Sequence, residues 1–406
     1  MRYVLYGLSA LLVSGCIRSV YEVPVLGRVV AGQGDTRPFE QPLPINTQPK
    51  RLALGSDFAI GLKEDGTVWS WGSGSKGELG TGKQENREIP QAIPNMTNFL
   101  EVAVGSEHVL ALRKDGTVWS WGDNKKGALG YKEEGVPYGP PNDIRFRPHQ
   151  LTPKQIPELK DVVSIATGSY YSLALDKEGR VWGWGSGFFT FSVDEKFKQP
   201  TPKLIIQDER AVKVIGGGGG AYSYGLLRNT GEVKLSFAGK LLEPKFDAPV
   251  VDVVMIPGNS YFLLNTGRVY ALGSNSKGGL AQRAKAQYET PLLINALSRI
   301  IKIDNFTALD EKGRVWQWGG IAGISIDQIF TGNNQYAQYY PKILLNNKKI
   351  VDIYCCTMAF EEDGTVWAWS NDTGGRRGDA KPVKGSMREQ THQHWTTPVR
   401  SLWTWK

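Results

Sequence analysis

Short apolar runs and two-residue alternations follow one another along this chain, separated by glycine-bearing turns. Val109-Leu110-Ala111-Leu112 and Ser172-Leu173-Ala174-Leu175 are runs of small and apolar residues, whereas Val68-Trp69-Ser70-Trp71 alternates. A period of two places Trp69 and Trp71 on the same face of a strand. Asp-Gly at 65–66, 115–116 and 363–364 precedes such alternations, and it suits the positive φ angles of a two-residue hairpin turn. The pattern predicts strand, tight turn, strand.

That unit recurs. Lys63–Gly80 (KEDGTVWSWGSGSKGELG) returns as Arg113–Gly130 (RKDGTVWSWGDNKKGALG). Echoes follow at Lys177–Gly185, Asn229–Phe237, Asn265–Ala281, Glu311–Gly319 and Glu362–Ser370. The seven copies are anchored on Gly66, Gly116, Gly179, Gly231, Gly267, Gly313 and Gly364, spaced 50, 63, 52, 36, 46 and 51 residues apart. A period near 50 means repeated supersecondary units whose number sets the architecture. Five copies keep Trp-x-Trp (69/71, 119/121, 182/184, 316/318, 367/369), which puts ten of the 13 tryptophans at one structural position. Such rings bury on the order of 150–250 Å² each. Filling the gaps between neighbouring sheets accounts for them better than a ligand cage does.

The blocks resemble regulator-of-chromosome-condensation repeats, a β-propeller family. Copy two carries the resemblance best: Gly105-Ser106-Glu107-His108-Val109-Leu110-Ala111-Leu112, then DGTVWSWG, then Lys126-Gly127-Ala128-Leu129-Gly130. It covers residues 51–406 and is strongest in the first three copies. Copy four departs, with Lys234 and Ser236 at the tryptophan places; copy five has Tyr270 and Leu272 there, and copy seven brings Tyr354-Cys355-Cys356. The resemblance implies an all-β fold, a seven-bladed β-propeller of repeats about 50 residues long, with no exposed sheet edge left by closure.

Ahead of the repeats stands a targeting pattern. Arg2 supplies a positive start, Tyr3–Val13 is an apolar run too short for a stable membrane helix, and Val13-Ser14-Gly15-Cys16 resembles the bacterial lipobox. Residues 1–15 are expected to be a lipoprotein signal peptide and Cys16 the lipidated residue. Ile17 follows where the inner-membrane retention rule asks for aspartate, which implies the outer membrane of the cell envelope. Residues 16–50, with prolines at 24, 38, 42, 44 and 49, read as the lipidated cysteine and a tether. Within it, Val23–Ala31 is apolar enough to join a terminal blade as a strand. Thr397–Lys406 (TPVRSLWTWK) matches the outer strand that precedes each new blade, so the two ends of residues 51–406 are expected to meet.

The net charge of +8 is spread along the chain, and no arginine-rich arm or recognition helix points to nucleic acid. Of three cysteines, Cys16 is assigned to lipid, while the adjacent Cys355 and Cys356 read as buried thiols. His108 holds a repeat position filled elsewhere by Phe58, Tyr171 and Ser223, which makes it structural. His392 and His394 lack an acidic or cysteine partner nearby, so no metal is expected. The run Gly216–Gly220 lacks the Lys-Ser/Thr of a phosphate loop and reads as a tight strand near the propeller centre. Carboxylates at Glu64-Asp65 and Glu362-Asp363 belong to hairpin turns. No catalytic constellation and no cofactor motif emerges, so the chain is not expected to be an enzyme.

Function is expected in the unequal spacers. They carry Tyr138 and Phe146, then Phe188 and Phe189, then Tyr336 and Tyr339, and finally Trp395. Equivalent loops of a propeller share a face, and Tyr and Trp dominate interface energetics. These residues are the expected contacts of a membrane-anchored, monomeric binding module with a protein or glycan partner of the envelope. An alternative is inhibition of an envelope or secreted enzyme, because a β-lactamase inhibitor protein with this repeat fold is similar in architecture. Its loops do not match these, and no residue carries over. The family's eukaryotic activity, nucleotide exchange on a nuclear GTPase, does not suit an exported lipoprotein.

Overall fold

The computed structural model describes residues 41–404 apart from 125, 132–148, 187–197, 218–222, 238–239, 276–277, 282–286, 321–336, 347, 355–357, 370–398 and 402. All of them belong to the compact unit Gln33–Lys406. The regular structure among them is strand throughout, in seven four-stranded antiparallel sheets. These are the blades, spanning residues 52–92, 99–155, 162–207, 211–242, 250–293, 300–345 and 350–400. Each sheet uses four consecutive strands, ordered from the inner strand to the outer one. The chain is the all-β, seven-bladed propeller that its repeats predict.

Every blade climbs and descends twice, so its ends fall on two faces. The hairpins between second and third strands, and the connectors between blades, form a hairpin face. The turns between first and second strands, and the loops between third and fourth, form the opposite loop face. The Asp-Gly hairpins are three-residue loops rather than two-residue ones. In blade 1 Lys63 N–H bonds Thr67 O at 3.0 Å, and only Gly66 takes a positive φ, +83°. A type I turn closed by a left-handed glycine makes this geometry. The preceding aspartate completes it: Asp65 Oδ1 accepts the Thr67 N–H at 2.8 Å and the Thr67 hydroxyl at 2.7 Å. Those bonds hold the Asp65 carboxyl below its ordinary pKa.

The two tryptophans of Trp-x-Trp share a face but not an environment. The second of each pair (Trp71, Trp121, Trp184, Trp318, Trp369) is wholly buried between blades, whereas Trp69, Trp119, Trp182, Trp316 and Trp367 are half-buried. Two of the buried rings are also stapled to the preceding blade. Trp121 Nε1 donates to Glu78 O at 2.7 Å, and Trp184 Nε1 donates to Ala128 O at 2.8 Å. The serine between the tryptophans holds its own loop, Ser70 Oγ donating to Leu79 O at 2.9 Å and Ser120 Oγ to Leu129 O at 2.7 Å. Where blade 4 replaces the tryptophans, Tyr171 reaches across from blade 3 and donates to Ser223 O at 2.5 Å. The bond crosses a tight gap, since a Cβ on Gly216 would stand 1.9 Å from Thr167 O. The inner strand of blade 4 ends at Gly216, and residues 218–220 of the glycine run lie outside the described residues.

Connectors plug the gaps between blades. Ile93 and Met96 fill the seam of blades 1 and 2, Ile156 and Leu159 the next, and Ile294 and Leu297 the seam of blades 5 and 6. The last seam uses the chain's end. Val399–Arg400 pairs with Val366–Ala368 as the outer strand of blade 7, as TPVRSLWTWK predicts. Trp403 then enters the seam of blades 7 and 1, 1% exposed, with its ring 5.5 Å from Trp71 and 5.4 Å from Phe360. Among the described residues, closure therefore rests on packing rather than on a strand shared between terminal blades.

Inner strands of blades 2 to 7 each carry a β-bulge, at Leu100, Val163, Val212, Val251, Ile301 and Val351. The residues that follow are Glu101, Ser164, Lys213, Asp252, Lys302 and Asp352, a mostly charged series around the channel. Lys213 Nζ meets Asp252 Oδ1 at 2.9 Å, and Lys302 pairs with Asp352. Residues 43–50 run across this end of the channel as a strap. Leu43 N–H bonds Asn265 O at 2.9 Å and Asn46 N–H bonds Val251 O at 2.7 Å, while Lys50 O receives the Val102 N–H at 3.0 Å. The Asn46 amide donates to Asp252 Oδ2 at 2.6 Å. Residues 43–50, read from the sequence as the end of the tether, are fastened to blades 5 and 2, and a bond from Thr47 N–H to Ile45 O at 3.1 Å turns the chain within them.

Candidate binding surface

The loop face is assembled from blade to blade by polar contacts. Ser56 N–H bonds Ser106 O at 3.3 Å and Ser106 N–H bonds Ser169 O at 3.1 Å, linking the inner turns of blades 1, 2 and 3. Lys76, in the outer loop of blade 1, pairs with Glu107 in the inner turn of blade 2. Burial works against the Lys76 charge, yet the adjoining Glu107 carboxylate holds its ammonium above the ordinary value. Lys126 of blade 2 lies 5.9 Å from the ring of Tyr170 on blade 3, and that ring is 46% exposed. These turn residues escaped the sequence reading, which weighed the repeat position one residue later (Phe58, His108, Tyr171). Side chains at that later position point into the core, whereas Glu107 and Tyr170 stand before it in the turn.

The unequal spacers share this face at their anchors. Residues 132–148 lie between Asp123 and His149, 187–197 between Ser186 and Lys198, 321–336 between Gly320 and Ala337, and 370–398 between Ala368 and Val399. All four join a third strand to a fourth, in the adjacent blades 2 and 3 and the adjacent blades 6 and 7. At the first anchor, His149 Nδ1 stands 3.7 Å from the buried Asp123 carboxylate. Tyr138, Phe146, Phe188, Phe189, Tyr336 and Trp395 lie outside the described residues, as do Cys16, Cys355, Cys356, His392 and His394. Tyr339 falls in the outer strand Ala337–Leu345, next to Tyr340, which is 53% exposed.

The regulator of chromosome condensation (RCC1) repeat signature matches residues 65–112 and 115–175, and a second signature of that repeat matches 50–78, 99–128 and 162–189. The chain is an RCC1-repeat propeller. Curated relatives include the probable E3 ubiquitin-protein ligase HERC6 of Homo sapiens, 31% identical over 143 residues, or 32% of this chain and 14% of that protein. The E3 ubiquitin-protein ligase HERC2 of Homo sapiens is 34% identical over 255 residues, 53% of this chain and 5% of that protein. Protein pim1 of Schizosaccharomyces pombe is 27% identical over 274 residues, 57% and 50% respectively. The chain thus spans half or less of the length of these relatives. Among solved structures, Prp20p of Saccharomyces cerevisiae superposes with a TM-score of 0.62 at 21% identity, covering 88% of this chain and 87% of that one. Its structure was described together with its binding to Gsp1p and histones. The structure of Kap60 bound to yeast RCC1 (Prp20) gives 0.63 at 19% identity, covering 95% and 92%. At such identities these matches show the fold.

In this RCC1-repeat propeller the fold brings together one histidine and serine 64 residues apart. His108 Nε2 lies 3.0 Å from Ser172 Oγ, both buried, with the buried Asp123 acting on the ring through its charge. The trio has the residue types of a hydrolytic triad but not its chemistry. Ser172 gives its proton to Ala128 O at 2.8 Å, so the His108 Nε2–H donates to Oγ and does not accept from it. Burial pushes the imidazole pKa down to about 4. The pair locks blade 2 to blade 3, the structural role expected for His108. Among the described residues no group of three or more His, Cys, Asp or Glu is placed to hold a metal, and no helix is long and apolar enough to cross a membrane.

Proposed function

We propose that this RCC1-repeat propeller is a non-enzymatic, monomeric binding module, held in a bacterial cell envelope by lipid on Cys16 and presenting its loop face to a protein or glycan partner. One observation carries the reading: the four long spacers, unequal where the strand blocks repeat, are all anchored on that face. Packing one blade on the next does not require such insertions. The strap enters on the hairpin face, which leaves the loop face clear of it. RCC1-repeat propellers generally serve as binding or exchange-factor modules, and Prp20p was studied for its binding to other proteins. The envelope assignment rests on the lipobox-like Val13-Ser14-Gly15-Cys16, with the outer membrane favoured by Ile17.

The test is an alanine series at Tyr138, Phe189, Tyr339 and Trp395, scored for melting and for affinity toward a partner first recovered from detergent-solubilised envelope. Anchor aromatics cost about 2 kcal/mol or more when truncated, roughly thirtyfold in affinity. Variants should melt normally and lose affinity. Full affinity in all four, with sensitivity on the hairpin face instead, overturns the assignment of the face. For the anchor, Cys16→Ser should shift the protein from membranes to the soluble fraction and reduce fatty-acid labelling to background. Labelling that persists in Cys16→Ser would show that lipid is attached elsewhere.

A further inference from the structure

The bulges of the inner strands place one apolar residue at the same position in six blades, and its exposure divides them. Leu100, Val163, Ile301 and Val351 are 39%, 49%, 39% and 45% exposed, Val212 is half-buried, and Val251 is 2% exposed. What distinguishes blade 5 is the strap. Leu43 and Ile45 pack against the cluster that holds Val251. Two main-chain bonds fix them there, Leu43 N–H to Asn265 O in the hairpin and Asn46 N–H to Val251 O at the bulge. A short apolar-x-apolar segment is thus already seated on one of these positions, clamped at turn and bulge.

The turn that clamps the strap is repeated in the open blades. In blade 5 the Asn265 N–H is tied to Pro249 O, which fixes the turn while its carbonyl receives Leu43. Lys114 N–H is tied to Asn98 O in blade 2, Lys177 to Asp161 O in blade 3, Glu311 to Arg299 O in blade 6 and Glu362 to Lys349 O in blade 7. The same backbone frame, with an apolar bulge residue beside it, therefore recurs in two adjacent pairs of blades, of which blade 2 also holds the far end of the strap through Lys50 O. The position that the strap covers in blade 5 is thus occupied by an exposed apolar residue in blades 2, 3, 6 and 7.

From this we propose that the bulge positions of blades 2 and 3 and of blades 6 and 7 form a second docking surface, on the hairpin face. Its occupant is an extended segment of another protein, with apolar side chains two residues apart, bound as residues 43–46 bind blade 5. Alternate side chains of such a segment face the blade and its main chain bonds the rim, as in strand-like peptide recognition. The surface is distinct from the loop face and independent of its partner.

The probe is a labelled synthetic peptide with the strap sequence QPLPINTQPK, titrated by fluorescence anisotropy into the full chain in detergent. Saturable binding is expected. It should weaken roughly tenfold or more in Val163→Asp and in Val351→Asp, because a carboxylate at the bulge must be desolvated under the peptide. Both positions are about half exposed, so both variants should keep the parent melting temperature. A peptide with Leu43→Ser and Ile45→Ser should not bind. Absence of saturable binding overturns the proposal. So does binding that is unchanged in both aspartate variants, which would mean that the peptide only displaces the chain's own strap at Val251.

Discussion

Trp403→Ala should cost the propeller about 3–5 kcal/mol, the usual range for deleting a buried tryptophan ring. The indole is 1% exposed and stands between Trp71 of blade 1 and Phe360 of blade 7. Among the described residues no strand is exchanged between the terminal blades, so this seam is held by side chains. Losing the ring should weaken the seam locally before the rest of the fold. Hydrogen exchange should then quicken first in Leu52–Leu54 and Met358–Glu361, the strands on either side. Gly61 supplies the control. A Cβ there would meet the Trp403 ring at 2.6 Å, whereas the matching residues of blades 2 and 3, Ala111 and Ala174, carry one. Gly61→Ala should cost about 1–3 kcal/mol alone by overpacking and much less beside Trp403→Ala. Chemical denaturation of the two single variants and the double variant measures this coupling. Additive losses would show that the ring does not occupy the space which Gly61 leaves.

Glu101→Gln should stabilise the protein at pH 8 and leave it little changed near pH 4.5. Glu101 follows the bulge of the blade 2 inner strand and is 6% exposed. It receives the Ile165 N–H at 3.2 Å, with Lys213 and Lys50 acting on it through their charges. Burial outweighs these and raises its pKa from the ordinary 4.5 to about 7. The folded state therefore holds this proton more tightly than the unfolded state does. Its contribution to stability is complete below about pH 4.5 and is lost as pH rises through about 7. A carboxyl displaced this far carries on the order of 3 kcal/mol, and glutamine, which does not titrate, removes that pH dependence. Denaturant melts of both proteins from pH 4.5 to 8 read the difference. A constant difference across that range would mean that Glu101 keeps its ordinary affinity for protons.

The blade count was legible in the chain because each blade is a local unit. Hairpin, alternation and glycine turn lie within about 20 residues of one another, and Trp-x-Trp marks where the sheets face. Even the weak fourth copy, without its tryptophans, kept enough of the hairpin to be counted. The turn type was misjudged for a local reason as well. Asp-Gly suits both two- and three-residue loops, and the choice is fixed by the pairing of Lys63 with Thr67. The spacers, by contrast, were legible only as insertions. Their anchors were placed on one face by strand direction, but which of their aromatics would act as contacts is not written in the repeat.

The architecture follows from local pattern in the chain: seven strand-turn-strand units, a glycine at each hairpin and a large ring for most seams. Each of these follows from residues close together in the chain, where φ preference and a two-residue period act. What fills the centre and seals the last seam comes instead from contacts between residues far apart in the chain. Asn46 meets Asp252 across 206 residues, Lys213 meets Asp252 across 39, and His108 meets Ser172 across 64. Nothing in the local pattern pairs such residues. Lys213 and Asp252 become neighbours because closing seven sheets into a ring brings one position of every inner strand to the channel, where charges taken from water need a partner from another blade, and His108 meets Ser172 because the second strands of adjacent blades face each other across a seam.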